Sequence, residues 1–245
     1  MGLVVERMND RPRPDEQMER LFADGWPAFI TADQEVKRHI GSVRALFADL
    51  ELVLIDSENV IVAAGWAVPL RWNGEPAGLP GGYTDSLARA VDGYRRGERP
   101  DTLVIAAAQV HPDQRGRGIA AELLTALCGL AEARGWARVI APVRPTLKAR
   151  YPLTPIEEFA AWTRADGAPM DPWIRTHWRL GARVIAVAPS SQTMTGTVAE
   201  WEAWSDMVFP ASGDYVIPNG LATLHIDVDA DERIYVEPNV WLRHI

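Results

Sequence analysis

The chain has 245 residues, 47% of them hydrophobic, enough for a sizeable core in one large domain or two small ones. With 25 basic against 33 acidic side chains the net charge is −8, which argues against nucleic acid as a main partner, because phosphate neutralisation needs clustered Lys and Arg. The single cysteine, Cys128, leaves no internal disulfide and fits a reducing cytoplasm, and no apolar run is long enough to make the membrane a partner. Ten tryptophans are scattered along the chain, as core or pocket-lining residues are.

Residues 1–17 are polar, with Arg11-Pro12-Arg13-Pro14, and read as a loose arm or a strand leading in. Met18 to Phe22 and Gln34 to Phe47 have helical spacing, with Val36, Ile40, Val43 and Phe47 on one face. Glu51 to Ile55 and Val60 to Leu70 read as a hairpin of strands around Asp56-Ser57-Glu58-Asn59. Residues 71–101 hold turn signals, Asn73-Gly74 and Pro80-Gly81-Gly82, and then a short helix with Leu87, Val91 and Tyr94, stopped by Gly97. An insertion of this length is usually a lid or an interface element.

Leu103 to Val110 is the next strand, and Ala121 to Arg134 is an amphipathic helix with Ile119, Leu123, Leu127 and Leu130 on one face. Cys128 sits beside that face as a small core side chain. Ala137 to Val143 is a strand, parallel to the previous one through a right-handed crossover. Thr154-Pro155-Ile156-Glu157 has the form of a capping box, starting a helix to about Arg164; Asp171-Pro172 starts another, ended by Gly181. Arg183 to Ala188 is a strand, Thr197 to Glu200 caps a helix bearing Trp201 and Trp204, and Leu221 to Val228 and Arg233 to Leu242 are the last two strands.

The chemistry concentrates where strand meets helix, at Val110-His111-Pro112-Asp113-Gln114-Arg115-Gly116-Arg117-Gly118-Ile119-Ala120. A helix start carries unpaired N–H groups and about half a positive charge, so it attracts phosphate. Gly116 and Gly118 let an anion approach the backbone. A Walker A loop is excluded, because Ile119-Ala120 stand where Lys-Ser or Lys-Thr is needed. A dinucleotide fingerprint is excluded too, since a third spaced glycine and an acid ending the next strand are both missing. No set of histidines has metal-ligand spacing, so no metal is expected, and no Gly-x-Ser-x-Gly elbow occurs.

Arg115-Gly116-Arg117-Gly118-Ile119-Ala120 resembles the pyrophosphate loop of the GNAT superfamily of acyl-CoA-dependent N-acetyltransferases: Gln or Arg, two residues, Gly, one residue, Gly or Ala. The resemblance spans roughly Phe47 to Ala188. It implies a mixed α/β fold with a central twisted sheet of about six to seven strands and helices on both faces. That sheet splays at the strand before the loop. It implies one domain over residues 1–245, with insertions at 71–101 and 151–170 and a C-terminal extension, 190–245, completing the sheet.

The same resemblance implies acetyl-CoA, or another acyl-CoA, as co-substrate. Its pyrophosphate would lie on the N–H groups of Arg115 to Ala120, and its pantetheine arm along the strand edge ending at Gln109 and Val110. The Val110 N–H would face the thioester oxygen. Many members carry a glutamate base on this strand, where the chain has Ala106-Ala107-Ala108-Gln109; Glu157, Glu158, Asp171 and Asp85 remain as alternatives. A tyrosine acid in the family corresponds to His177, with Tyr151 as the other candidate; the bland reading of His177 is a packed or helix-end histidine.

The acceptor is expected to be a small-molecule or peptide amine, in a pocket walled by Trp72, Tyr83, Trp162 and Trp173, with Arg144 and Lys148 open to a substrate carboxylate. Cys128, inside a helix, is a poor nucleophile, so direct transfer in a ternary complex is expected. The rival reading is a non-catalytic CoA-binding sensor or assembly module of the same fold. A homodimer is left open.

Overall fold

In the computed structural model, residues 2–10, 16–18, 21, 25–230 and 232–244 are described; Arg11 to Pro14 and most of the expected Met18 to Phe22 helix lie outside them. Nine strands form one mixed sheet: β1 (Val4–Arg7), β2 (Glu51–Ile55), β3 (Ile61–Leu70), β4 (Thr102–Val110), β5 (Arg138–Val143), β6 (Arg183–Gly196), β7 (Gly213–Tyr215), β8 (Leu224–Asp227) and β9 (Glu232–Arg243). The order is β1-β2-β3-β4-β5-β9-β8-β7, and β6 also pairs with β9. The strands beyond the six or seven expected are short edges: β1 has four residues and β7 three, too few for alternation to register. All pairings are antiparallel except β4 with β5.

Among the described residues, the helices that cover the sheet include α1 (Gln34–Leu46), α2 (Tyr83–Arg95), α3 (Ile119–Glu132), α4 (Ile156–Ala160), α5 (Pro172–Arg179) and α6 (Val198–Ser205). The α3 helix buries Ile119, Leu123, Leu124, Leu127 and Leu130. Each such side chain contributes roughly 1.5–3 kcal/mol by leaving water. Gly65 on β3 admits this packing, since a Cβ there would stand 2.8 Å from the Ala107 carbonyl and 3.0 Å from Leu127. A second apolar cluster, with Phe29, Met194, Trp201, Leu224 and Tyr235, lies under the β6–β9–β8 end.

Two expectations change. Residues 71–101 form part of the core and not a lid: α2 places Leu87, Ala90 and Val91 in the main apolar cluster. Its start is tied down by Tyr83 N–H donating to Ser191 Oγ (2.8 Å) and Thr84 Oγ1 donating to Asp33 Oδ2 (2.6 Å). Asp33 also caps α1 through the N–H groups of Glu35 and Val36, so one buried carboxylate joins two helices to the Thr193 amide of β6. The second correction concerns Thr154. The α4 helix begins one residue later than a capping box requires, with Pro155 extended (φ −53°, ψ 145°) and no side-chain cap. It ends at Ala160 because the chain turns back into a small bridge, Arg164 N–H donating to the Ala168 carbonyl and Met170 N–H to that of Trp162.

Candidate active site

The glycine turn folds as its composition dictates. Gly116 (φ 77°) and Gly118 (φ 85°) occupy the left-handed region, where a Cβ is penalised. Gln114 and Arg115 close a tight turn onto the carbonyls of His111 and Pro112, and Ala121 and Glu122 begin the helix ladder on the Gly118 carbonyl. Among the described residues, no N–H from Gly116 to Ala120 donates to a backbone carbonyl. The turn therefore presents consecutive free donors at the positive end of α3, suited to a pyrophosphate.

The strand before it opens as a phosphopantetheine arm would need. Pairing of β4 with β5 stops at Val104 and Ile140. There β4 also bulges: Ala67 pairs with Ile105 and Trp66 with Ala107, leaving Ala106 unmatched. Beyond the bulge, His111 N–H bonds to the Val62 carbonyl, so the N–H groups of Val110 and Ala108 turn to the open side by the antiparallel alternation. Gln109 is held on the strand by Trp26, whose Nε1 donates to Oε1 at 3.1 Å, while its own Nε2 reaches the Val110 carbonyl at 3.3 Å. A Cβ on Gly25 would stand 1.8 Å from the Gln109 Nε2, so any side chain there would displace that amide.

A cavity fills the gap between the diverging strands. Ala106, Ala107 and Ala108 form one wall and Pro142 to Arg144 the other; Trp26, Tyr83, Trp173, His177, Gln192 and Asn239 close it. The absence of a strand glutamate thus opens room. Two buried polar atoms on this lining have no partner among the described residues, Nε2 of His177 and Oδ1 of Asn239. Asn239 donates through Nδ2 to the Pro142 carbonyl (3.1 Å), which fixes its amide. His177, buried on α5, turns Nδ1 to Nε2 of His244 at 2.8 Å and meets the Trp173 ring edge-on at 4.5 Å. Burial, with the neighbouring His244, drives the His177 pKa well below the free imidazole value, so the ring is neutral near pH 7. The phenol of Tyr83 moves the other way, raised by burial and by Asp33, and stays protonated.

Arg144 also faces the cavity but is committed. Nε and Nη2 grip the fully buried Glu237 at 2.7 and 3.0 Å, Nη2 donates to the Asn219 carbonyl, and Tyr235 donates to the same carboxylate. Nη1 takes no part in these bonds.

Of the two residues expected to move protons, His177 lies in the cavity and Tyr151 does not. Tyr151 is 42% exposed and packs its ring against Trp162 (4.9 Å) and Phe159 (6.2 Å). None of the four acidic candidates lines the cavity. Asp171 caps α5 through the N–H groups of Trp173 and Ile174 and accepts from Leu147; Asp85 accepts from Gly81 and pairs with Arg89; Glu157 and Glu158 are exposed. Lys148 is buried with Nζ on the carbonyls of Tyr151, Pro152 and Leu221, so it cannot receive a substrate carboxylate.

Tyr83 and Trp173 line the cavity as expected, whereas Trp72 is a core residue bonded to the Glu75 carbonyl and Trp162 packs with Tyr151. Cys128 is half-buried, its thiol pushed up to about 11 by burial and Glu132, a poor nucleophile. Trp26, Gln192 and Asn239 were missed. The one available signal for the last two was proline within strands: Pro189 and Pro238 both fall in the irregularity between Ala188–Asn239 and Gln192–Glu237.

The model of the acetyltransferase (GNAT) family matches residues 9–154. Arginine N-acetyltransferase avaD of Aspergillus versicolor is 28% identical over 260 residues, covering 94% of this chain and 87% of that protein. Among solved structures, the loading GNATL domain of CurA from Lyngbya majuscula aligns with a TM-score of 0.62 at 16% identity, covering 99% of this chain and 96% of that one. The GphF GNAT-like decarboxylase in complex with isobutyryl-CoA aligns at 0.58 and 20% identity, covering 100% and 98%. The two structural likenesses establish a shared fold that extends through the C-terminal strands.

Proposed function

Because the chain belongs to the GNAT acetyltransferase family, we propose that it transfers an acetyl group from acetyl-CoA to the amine of a small, arginine-like amino acid. The observation that carries this reading is the pairing, across one strand opening, of a turn of free N–H donors with a cavity lined by a neutral imidazole whose Nε2 has no partner among the described residues. The pyrophosphate binds the N–H groups of Gly116 to Ala120, and the thioester carbonyl takes a hydrogen bond from Val110 N–H, which strengthens as negative charge grows on oxygen. The acceptor nitrogen donates to Asn239 Oδ1 and gives a proton to His177 Nε2, since a protonated amine has no lone pair to attack with. Nη1 of Arg144 receives the acceptor carboxylate, and the aromatic walls of Trp26, Tyr83 and Trp173 suit a guanidinium. The arginine-like acceptor is supported by the relative's activity together with this lining.

Thiol release measured with acetyl-CoA and a panel of free amino acids, their carboxamides and peptides tests the proposal. Turnover is expected on arginine and falls when its carboxylate is amidated. CoA binding without turnover on any amine overturns it.

A further inference from the structure

His177 and His244 come from different elements. The His177 ring packs in α5 against Trp173, and the main chain of His244, one residue past β9, is anchored by its N–H to the Val139 carbonyl at 2.9 Å. His177 is buried at 1% exposure, whereas His244 is only partly covered. The 2.8 Å contact between them joins the cavity-lining, buried His177 to the partly exposed His244. A hydrogen bond between two neutral imidazoles allows two tautomer arrangements, and only one leaves Nε2 of His177 as a lone pair.

We propose that His244 is the relay partner of His177: it holds His177 with its proton on Nδ1 and carries the acceptor's proton from the cavity to solvent. This rests on the reading that His177 accepts the amine proton. The acceptor ammonium gives its proton to His177 Nε2 while the Nδ1 proton of His177 passes to His244 Nε2 and the Nδ1 proton of His244 passes to water. The freed nitrogen then attacks the thioester carbonyl carbon. On collapse the C–S bond breaks, and the second nitrogen proton goes to the departing thiolate. One proton is released for each ammonium consumed, and exchange with water restores the starting tautomers once products leave. In this relay no imidazolium need persist in the buried position, where desolvation would oppose it.

The experiment has two readouts on the full chain. Nitrogen NMR of protein with labelled histidines, without substrate, is expected to find His177 protonated on Nδ1; a proton on Nε2 overturns the proposal. In the thiol-release assay His244→Ala is expected to lower kcat about tenfold, less than the roughly hundredfold low end for losing the proton acceptor itself. The same variant keeps its CoA affinity within about twofold and regains rate with added imidazole. His244→Gln, which can still accept from Nδ1 but cannot pass the proton on, is expected to be as slow as His244→Ala, with melting curves confirming that both are folded. A wild-type rate in either variant overturns the relay, as does a loss in His244→Ala that imidazole leaves unchanged. If the wild type turns over no amine, the acyltransfer reading fails on that result, and the tautomer measurement still decides the pair.

Discussion

The two ends of the β4–β5 opening are built by different means. At the α3 end the polar groups on offer are main chain, supplied by consecutive residues, Gly116 to Ala120. At the other end they are side chains from distant elements, Trp26, Tyr83, Arg144, Trp173, His177 and Asn239. A backbone site depends on conformation and tolerates most side-chain changes around it. A side-chain site can be re-lined one residue at a time. One end can therefore stay constant for a common co-substrate while the other changes acceptor.

If the ends are separable, substitutions should split cleanly between them. The largest effect is expected from His177→Gln, which retains hydrogen bonding but cannot take a proton at cavity pH. Its kcat should fall about a hundredfold, the lower range for loss of a general base, with CoA affinity by calorimetry unchanged. A matching loss of CoA affinity would show the two ends to be coupled. The next largest is Gly118→Val. No atom crowds a Cβ there, so the penalty comes from φ of 85°, about 1–2 kcal/mol for a side chain in the left-handed region, and more for a branched one. Relieving it rotates the donors away, so the CoA dissociation constant should rise about tenfold while the acceptor KM stays within twofold.

The same contrast explains what the sequence disclosed. The loop was legible because strand, glycines and helix follow one another, and the periodicity of Ile119, Leu123, Leu127 and Leu130 places the helix start. The opening of β4 was legible only through resemblance, since the bulge at Ala106 leaves no mark in a run of alanines. The cavity was mostly illegible. Trp26 and Asn239 lie 213 positions apart, and their convergence depends on the N-terminal segment crossing β4 and on β9 joining β5. The family resemblance brought His177 within reach of reasoning, but nothing local points to its partner His244, because β9 returns it from 67 positions away. Arg144 read as a wholly free cation because Glu237, 93 residues on, gives no local sign of holding its Nε and Nη2 and leaving only Nη1 uncommitted.

The histidine pair also has a stability signature that the loop lacks. Burial holds His177 well below the free value of 6.5 and lowers His244 to about 4. Between pH 6.5 and about 4 the unfolded chain thus binds protons that the folded chain refuses. Stability rises with pH wherever the unfolded state binds more protons, so the pair's contribution is present above 6.5 and is lost as the pH falls. Asp171 and Glu51, raised by burial, act in the opposite sense at the acid end, which makes the difference between proteins the useful quantity. Melting followed from pH 7.5 down to 4.5 should drop more steeply for wild type than for the double variant His177→Gln, His244→Gln. Equal slopes would mean that these rings titrate as they do in water.

The smallest effect belongs to Tyr151→Phe. The ring packs against Trp162 and Phe159, the residue is 42% exposed, and it lies outside the cavity lining. Phenylalanine keeps every ring contact and removes only the hydroxyl. An exposed change of this kind shifts stability by about 0.5 kcal/mol or less. The rate with acetyl-CoA and arginine should stay within twofold of wild type, against the hundredfold loss expected at His177. A loss of tenfold or more would put the phenol in the proton path and extend the side-chain end of the site beyond the cavity, into the segment between β5 and α4.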